Sequence, residues 1–191
     1  GLQLLIMSSP RSELMSWMLA GVIVPAMPMA YASDYLSIAQ AQQLLFPKAS
    51  QFISTPILLS QVDKTNIQQK TGLKQRWDQQ QAFKVMKNQE HLGWLMIDDV
   101  IGKHEFITYA LAISPKGAIL GIEILKYRET HGGQIRHEAW RKHFIGKTHK
   151  DPFKLDQDVP NITGATLSCR NVLSGTKRLL VIHEIFLKGR T

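Results

Sequence analysis

Apolar residues in this 191-residue chain follow two periods. Between positions 92 and 127 they come in dense runs: Leu92 to Ile101, Glu105 to Ile113 and Ala118 to Tyr127. The last run alternates through Ile119, Gly121, Glu123 and Leu125, as strands do. Ser114-Pro115-Lys116-Gly117 has turn composition, so the runs beside it form an antiparallel hairpin. From Leu167 toward Gly189 the spacing becomes helical, with Val172, Leu179, Leu180, His183 and Phe186 on one stripe. Two shorter helices are predicted. One runs from Ser33 to Phe46, with Ser33 or Asp34 as cap and Leu36, Ala39, Leu44 and Leu45 as its apolar side. The other runs from Glu138 to Phe144 and sets Trp140 and Phe144 four apart. Residues 52 to 62 read as an extended segment broken at Pro56. The Gln-rich stretch from Asp63 to Gln81 carries Leu73 and Trp77 four apart, which suits a short helix or a surface excursion. The layout is α+β: an antiparallel sheet flanked by helices, one face covered and one partly open to solvent.

The beginning of the chain reads differently. Arg11 precedes an apolar stretch from Met15 to Pro28, followed by Met29-Ala30-Tyr31-Ala32, a small-x-small pattern. Basic start, apolar middle and small-residue end are the parts of a secretory signal peptide. The apolar run is short and interrupted by Pro25 and Pro28, which suits a cleaved signal better than a spanning helix. Cleavage after Ala32 is expected, leaving one domain over 33–191; a retained N-terminal anchor is the alternative. Export would set the protein in the periplasm, with peripheral membrane association at most.

Composition narrows the chemistry. Hydrophobic content of 44% and charged content of 20% are ordinary for a globular protein. A formal charge of +8 permits contact with anionic surfaces, but Lys and Arg are dispersed rather than massed, so no nucleic-acid partner is expected. The single cysteine, Cys169, rules out an intramolecular disulfide and a Cys-based metal cluster. Its place in the last helix suits packing. His131, His137, His143 and His149 recur every six residues, a spacing that fits no helix face, and no metal site is expected. His183 sits on the inner stripe, as a satisfied core histidine would. With no Ser–His–Asp set, phosphate-binding loop or dinucleotide fingerprint, no catalytic residue is assigned.

The most informative stretch is Asn161-Ile162-Thr163-Gly164-Ala165-Thr166-Leu167-Ser168, where an irregular segment meets the longest helical pattern. Small residues and hydroxyls at a helix mouth let backbone N–H groups and the positive end of the dipole face an anion. Taken alone, the stretch is equally a helix start in which Thr163 or Thr166 is the N-cap, worth about 1 kcal/mol. Asn161-Ile162-Thr163 also matches a glycosylation pattern, read as coincidence.

Three stretches in order carry a resemblance: Glu129-Thr130 with Gly132-Gly133, Trp140 to Lys147, and Thr163 to Ser168. Together they resemble the FMN-binding domain family, which includes the flavinylated subunits of sodium-translocating NADH:quinone reductase and of Rnf-type complexes. The strand region around Ile97 to Glu105 is similar to that of small, exported, stand-alone members. The resemblance covers roughly residues 33 to 190. Residues 163 to 168 satisfy the family's attachment pattern, Ser/Thr-Gly-Ala-Thr/Ser-x-Ser/Thr. Two positions depart from it: Pro160 stands where many relatives have an acidic residue, and His131 stands where the respiratory members have proline.

The resemblance implies FMN joined covalently through a phosphoester to Thr166. An FAD:protein FMN transferase would make that bond, using FAD and Mg²⁺ that the product does not retain. Gly164 and Ala165 would leave the hydroxyl accessible. Thr163 and Ser168 would be candidates to bond the phosphate oxygens, with Leu167 completing the motif. Glu129, Thr130, His131, Gly132 and Gly133 would lie against the flavin ring, and Lys147 could bring charge to phosphate or reduced flavin. Trp140 and Phe144 read as core. The implied function is an exported electron-transfer flavoprotein between a membrane reductase and a cytochrome or similar partner, rather than a complete enzyme. The alternatives are a periplasmic flavin-dependent reductase of a small acceptor and a non-redox basic binding module.

Overall fold

The computed structural model describes residues 33–190. The signal-peptide segment expected at 1–32 lies outside them. An antiparallel sheet is built from β1 (Ser33–Asp34), β2 (Gln51–Ser54), β3 (Ile57–Leu58), β4 (Gln79–Lys87), β5 (Glu90–Ile101), β6 (Phe106–Ile113) and β7 (Ile119–Tyr127). The order is β1-β7-β6-β5-β4-β2, with β3 also pairing β4. The helices are α1 (Ile38–Leu45), α2 (Gln61–Thr71), α3 (Glu138–Arg141) and α4 (Thr166–Ile182), with a short π turn, His183–Leu187, continuing α4. The α+β expectation and the C-terminal helix are as observed.

The β6–β7 hairpin closes as its turn composition required: Gly117 N–H donates to the Ser114 carbonyl and Ser114 N–H to the Ala118 carbonyl. The central strands are buried on both faces, which explains their dense apolar runs. On one face Trp94, Met96, Tyr109, Leu111, Ile122 and Ile124 join Cys169, Val172, Leu173, Leu179 and Leu180 of α4 in the main core. On the other, Leu95, Ala110, Ala112 and Leu125 meet Ala41 of α1 and Phe46. The second face is therefore covered over its centre, where the sequence pattern leaves it partly to solvent. Burying an antiparallel sheet twice needs only one short amphipathic helix, and α1 supplies it.

Five expectations change. Ser33 and Asp34 are a strand paired with Tyr127 and Lys126 of β7, and the first helix starts later. Its cap is Ser37, which accepts from the Gln40 N–H while the Gln40 side chain accepts from the Ser37 N–H. The polar helix also lies earlier than Leu73 and Trp77 suggested. Ser60 and Asp63 form its capping box and Gly72, at φ 72, ends it, so both apolar residues follow it in a loop. The extended segment correspondingly stops before Val62, which is already in α2. Strand β4 was hidden by its glutamines: Gln80 is buried because its side-chain amide donates to the Ile97 carbonyl at 2.7 Å. Finally, His183 is buried, but neither ring nitrogen has a hydrogen-bond partner among the described residues. Burial pushes its pKa below the ordinary histidine value.

Trp140 and Phe144 are core residues, edge to face at 5.0 Å. Cys169 is buried too, which raises its pKa and keeps the thiol protonated and unreactive. Within the described residues no helix is long and apolar enough to cross a membrane.

Candidate functional site

The mouth of α4 is set by a turn. Ala165 N–H donates to the Ile162 carbonyl, Gly164 adopts φ 82, and Ala165 becomes the N-cap with no side-chain cap bond. Neither threonine caps the helix. Thr166 is its first residue and is exposed. The first intrahelical bond is Cys169 N–H to the Ala165 carbonyl, so the N–H groups of Thr166, Leu167 and Ser168 precede the ladder at the positive end of a 17-residue helix.

Thr166 is held from outside. Asn161 Nδ2 donates to its Oγ1 at 3.0 Å, the Asn161 N–H donates to Asp156 Oδ1 at 3.0 Å, and Trp140 Nε1 donates to the Pro160 carbonyl at 2.9 Å. The irregular segment before the motif is thus an arm pinned at both ends. Its inner strut is Asp158, which accepts from the Phe153 and Lys154 N–H groups and pairs with Lys147 at 3.6 Å.

Facing the helix mouth is the loop after β7. Gly132, at φ 92, packs directly on Ala165: a Cβ there would come within 2.3 Å of the Ala165 Cβ and 2.5 Å of the Tyr127 hydroxyl. Only glycine allows that approach. Tyr127 reinforces it by donating to the His131 carbonyl, with Ser168 Oγ 3.4 Å away. Glu129 turns toward the β5–β6 turn and accepts from the His104 and Glu105 N–H groups, the latter at 2.9 Å. Burial opposes its charge, but these N–H groups outweigh it and hold the carboxyl below its ordinary value. Gly102 leaves room for it, since a Cβ there would meet Glu129 Oε1 at 2.7 Å.

These elements enclose a cavity of about 160 Å³ lined by Glu129, Thr130, His131, Gly164, Ala165, Leu167 and Ser168, together with Lys103 and His104. The structure therefore gathers two of the three motif stretches into one place. Thr166 and Thr163 stand exposed beside it, and Gly132 lies behind it. Gly133 is half-buried at the start of a 3-10 turn. Lys147 does not line the cavity; its carbonyl bonds Ile119 and its ammonium is engaged by Asp158. Lys103 and His104 escaped sequence reasoning because they sit in a strand-to-strand turn; basic residues directly after Gly102 were the only signal.

A helix mouth with N–H groups preceding the ladder, an accessible hydroxyl and a glycine loop pressed against it is an arrangement able to receive an anion. Residues 102–181 match the model of the FMN-binding domain family. Among solved structures, the chain is similar to NqrC of Shewanella oneidensis at 17% identity, over 71% of this chain and 80% of that one, with a TM-score of 0.49. It is also similar to a component of the Na(+)-translocating NADH-quinone reductase of Parabacteroides distasonis, at 13% identity over 85% and 90% of the two chains, with a TM-score of 0.50. At that identity the second likeness is one of fold. No curated protein matches.

Proposed function

We propose that Thr166 carries FMN through a phosphoester and that the protein is an exported electron-transfer flavoprotein. The observation that supports this best is the state of the Thr166 hydroxyl. It is exposed at the first position of α4, oriented by Asn161 and next to the cavity under the Glu129–Gly133 loop. The residues present suit the group. Gly164 has nothing within 4 Å of where its Cβ would stand, so a transferase meets no side chain there, and the open N–H groups of Thr166, Leu167 and Ser168 suit phosphate oxygens. The transferase supplies base and metal, and this chain presents the oxygen.

FMN, when bound, supplies one- and two-electron transfer. The chain's own contribution is binding and tuning. Thr130, His131 and the loop backbone line the cavity and would border the flavin ring, while Lys103 brings positive charge to the cavity and His104 an imidazole. Ser168 Oγ, close to Tyr127, serves chiefly to hold the loop on the helix. About 160 Å³ is smaller than the roughly 300–1,000 Å³ of pockets that bury a ligand, which favours an exposed flavin edge and protein partners over a closed substrate pocket. A membrane reductase and a cytochrome are the partners this reading expects, in the periplasm.

Intact mass after co-expression with the FAD:protein FMN transferase tests the attachment. The mature chain gains the mass of FMN less water, and Thr166→Val abolishes the gain; an adduct that survives this substitution refutes the assignment. A secreted product that retains Met15 to Ala32 would refute cleavage.

A further inference from the structure

A second cavity, of about 170 Å³, lies between the loop after α2, the end of β5 and the Asn171–Arg178 side of α4. It shares no lining residue with the cavity beneath the glycine loop. We propose that it binds a planar aromatic anion, such as a fused-ring or heteroaromatic carboxylate, sulfonate or phosphate.

The argument begins with Trp77. Its indole is 41% exposed, yet it does not hang on a loose loop. Buried Gln75 donates to the Trp77 carbonyl at 2.9 Å and accepts from Arg178. Arg178 in turn is locked to buried Asp98, which also accepts from the Tyr109 hydroxyl at 2.7 Å. An exposed indole is thus carried on a strut anchored in the core, and little ordering remains to oppose binding. Trp77 and Leu73 on the loop line the cavity together with Val100 and Ile101 of β5, and all four offer apolar surface, the indole also lying 6.2 Å from the Phe106 ring. A flat ring suits that slot, and stacking on an indole adds to the area it buries.

Polar groups fix the rest of the ligand. Ser174 of α4 lines the cavity half-buried, and its hydroxyl has no hydrogen bond among the described residues. Lys74 and Arg76, exposed at the rim, have no ion pair among the described residues. Asp99 is the carboxylate on the wall and accepts the Thr108 hydroxyl at 2.5 Å, so an anionic group is directed to the loop side, where the two cations stand. Asn171 lines the cavity five residues after Thr166, about 7.5 Å further along the helix axis. A bound ring would lie on the same helix as the attachment hydroxyl, little more than a turn away.

The site is independent of the flavin reading and is tested on the full chain produced without flavin. Naphthalene-2-sulfonate is titrated by calorimetry, with naphthalene-2-methanol as the neutral analogue. One saturable site is expected. Trp77→Ala should weaken it about tenfold, the loss of stacking together with contact area, and Trp77→Phe should recover most of that. Arg76→Ala should weaken the sulfonate and leave the neutral analogue unmoved, and Ser174→Leu should fill the slot and abolish both. Absence of saturable binding, or an affinity unmoved by Trp77→Ala and Ser174→Leu, overturns the proposal. Loss of binding to the neutral analogue in Arg76→Ala would also overturn it, because that side chain is exposed and its role here is charge alone. Failure in any of these arms leaves the FMN mass measurement unaffected.

Discussion

Gly132→Ala is the sharpest probe of how the glycine loop is joined to the mouth of α4. Two penalties arise. At φ 92 any L side chain is strained, by about 1–3 kcal/mol. The added methyl also meets Ala165 Cβ at 2.3 Å and the Tyr127 hydroxyl at 2.5 Å. The first of these is attached directly to the helix backbone and cannot swing aside. Overpacking of this kind costs about 1–3 kcal/mol more. Gly164→Ala is the internal control, since it has φ 82 but nothing within 4 Å of its new Cβ. The two variants share the backbone strain and differ in the collision. Gly132→Ala should therefore be the less stable by about 1–3 kcal/mol in urea or thermal unfolding of the flavin-free chain. At about 2–4 °C per kcal/mol for a domain of this size, the difference between their melting temperatures is measurable. The loop would also lift from the helix mouth, so FMN incorporation should fall in Gly132→Ala. Equal stabilities for the two variants would refute the claim that the loop and helix are in close contact.

Three further outcomes follow from buried groups. Arg178→Met leaves Asp98 buried without its cation and should cost about 3–5 kcal/mol in denaturant unfolding, while Asp98→Leu combined with Arg178→Met should recover much of it. Trp140→Phe keeps the ring but leaves the Pro160 carbonyl without its donor, for a loss of about 1–3 kcal/mol and faster proteolysis of the 153–161 arm. His183 is neutral in the folded chain because burial lowers its pKa, whereas the unfolded chain takes up a proton below about pH 6.5. Stability should therefore decline as pH falls through that value, by up to about 1.4 kcal/mol per pH unit, and His183→Phe should flatten the profile between pH 7 and pH 5. An unchanged slope in that variant would assign the acid sensitivity to other groups.

Local signals were legible wherever the local sequence and the tertiary context agreed. The dense runs before and after Ser114–Gly117 could be read as strands because β5, β6 and β7 are buried on both sides and tolerate few polar residues. The α4 stripe was plain for the same reason. Thr163 to Ser168 could be identified as a helix mouth, and Glu129 to Gly133 as a glycine loop, from residue types alone. Strand β4 could not, because the burial of its polar Gln80 is offset by a bond to β5 that only the assembled sheet supplies. The start of α1 is ambiguous in the sequence because Ser33, Asp34 and Ser37 are all competent caps, and pairing with β7 decides among them.

What the sequence determined by itself, then, is the α+β class, strands β5 to β7, the helix that closes the chain and the small-residue, hydroxyl-rich mouth before it, since these depend on residue period and residue type. Tertiary structure alone decided that Ala165 rather than a threonine caps α4, leaving the Thr166 hydroxyl exposed and bonded to Asn161. It also decided that Gly132 and Ala165 touch across 33 positions of chain, that Glu129 braces the β5–β6 turn, and that Lys147 is engaged by Asp158. Each of these is a contact between distant segments, and no local preference encodes which distant partner a side chain will meet.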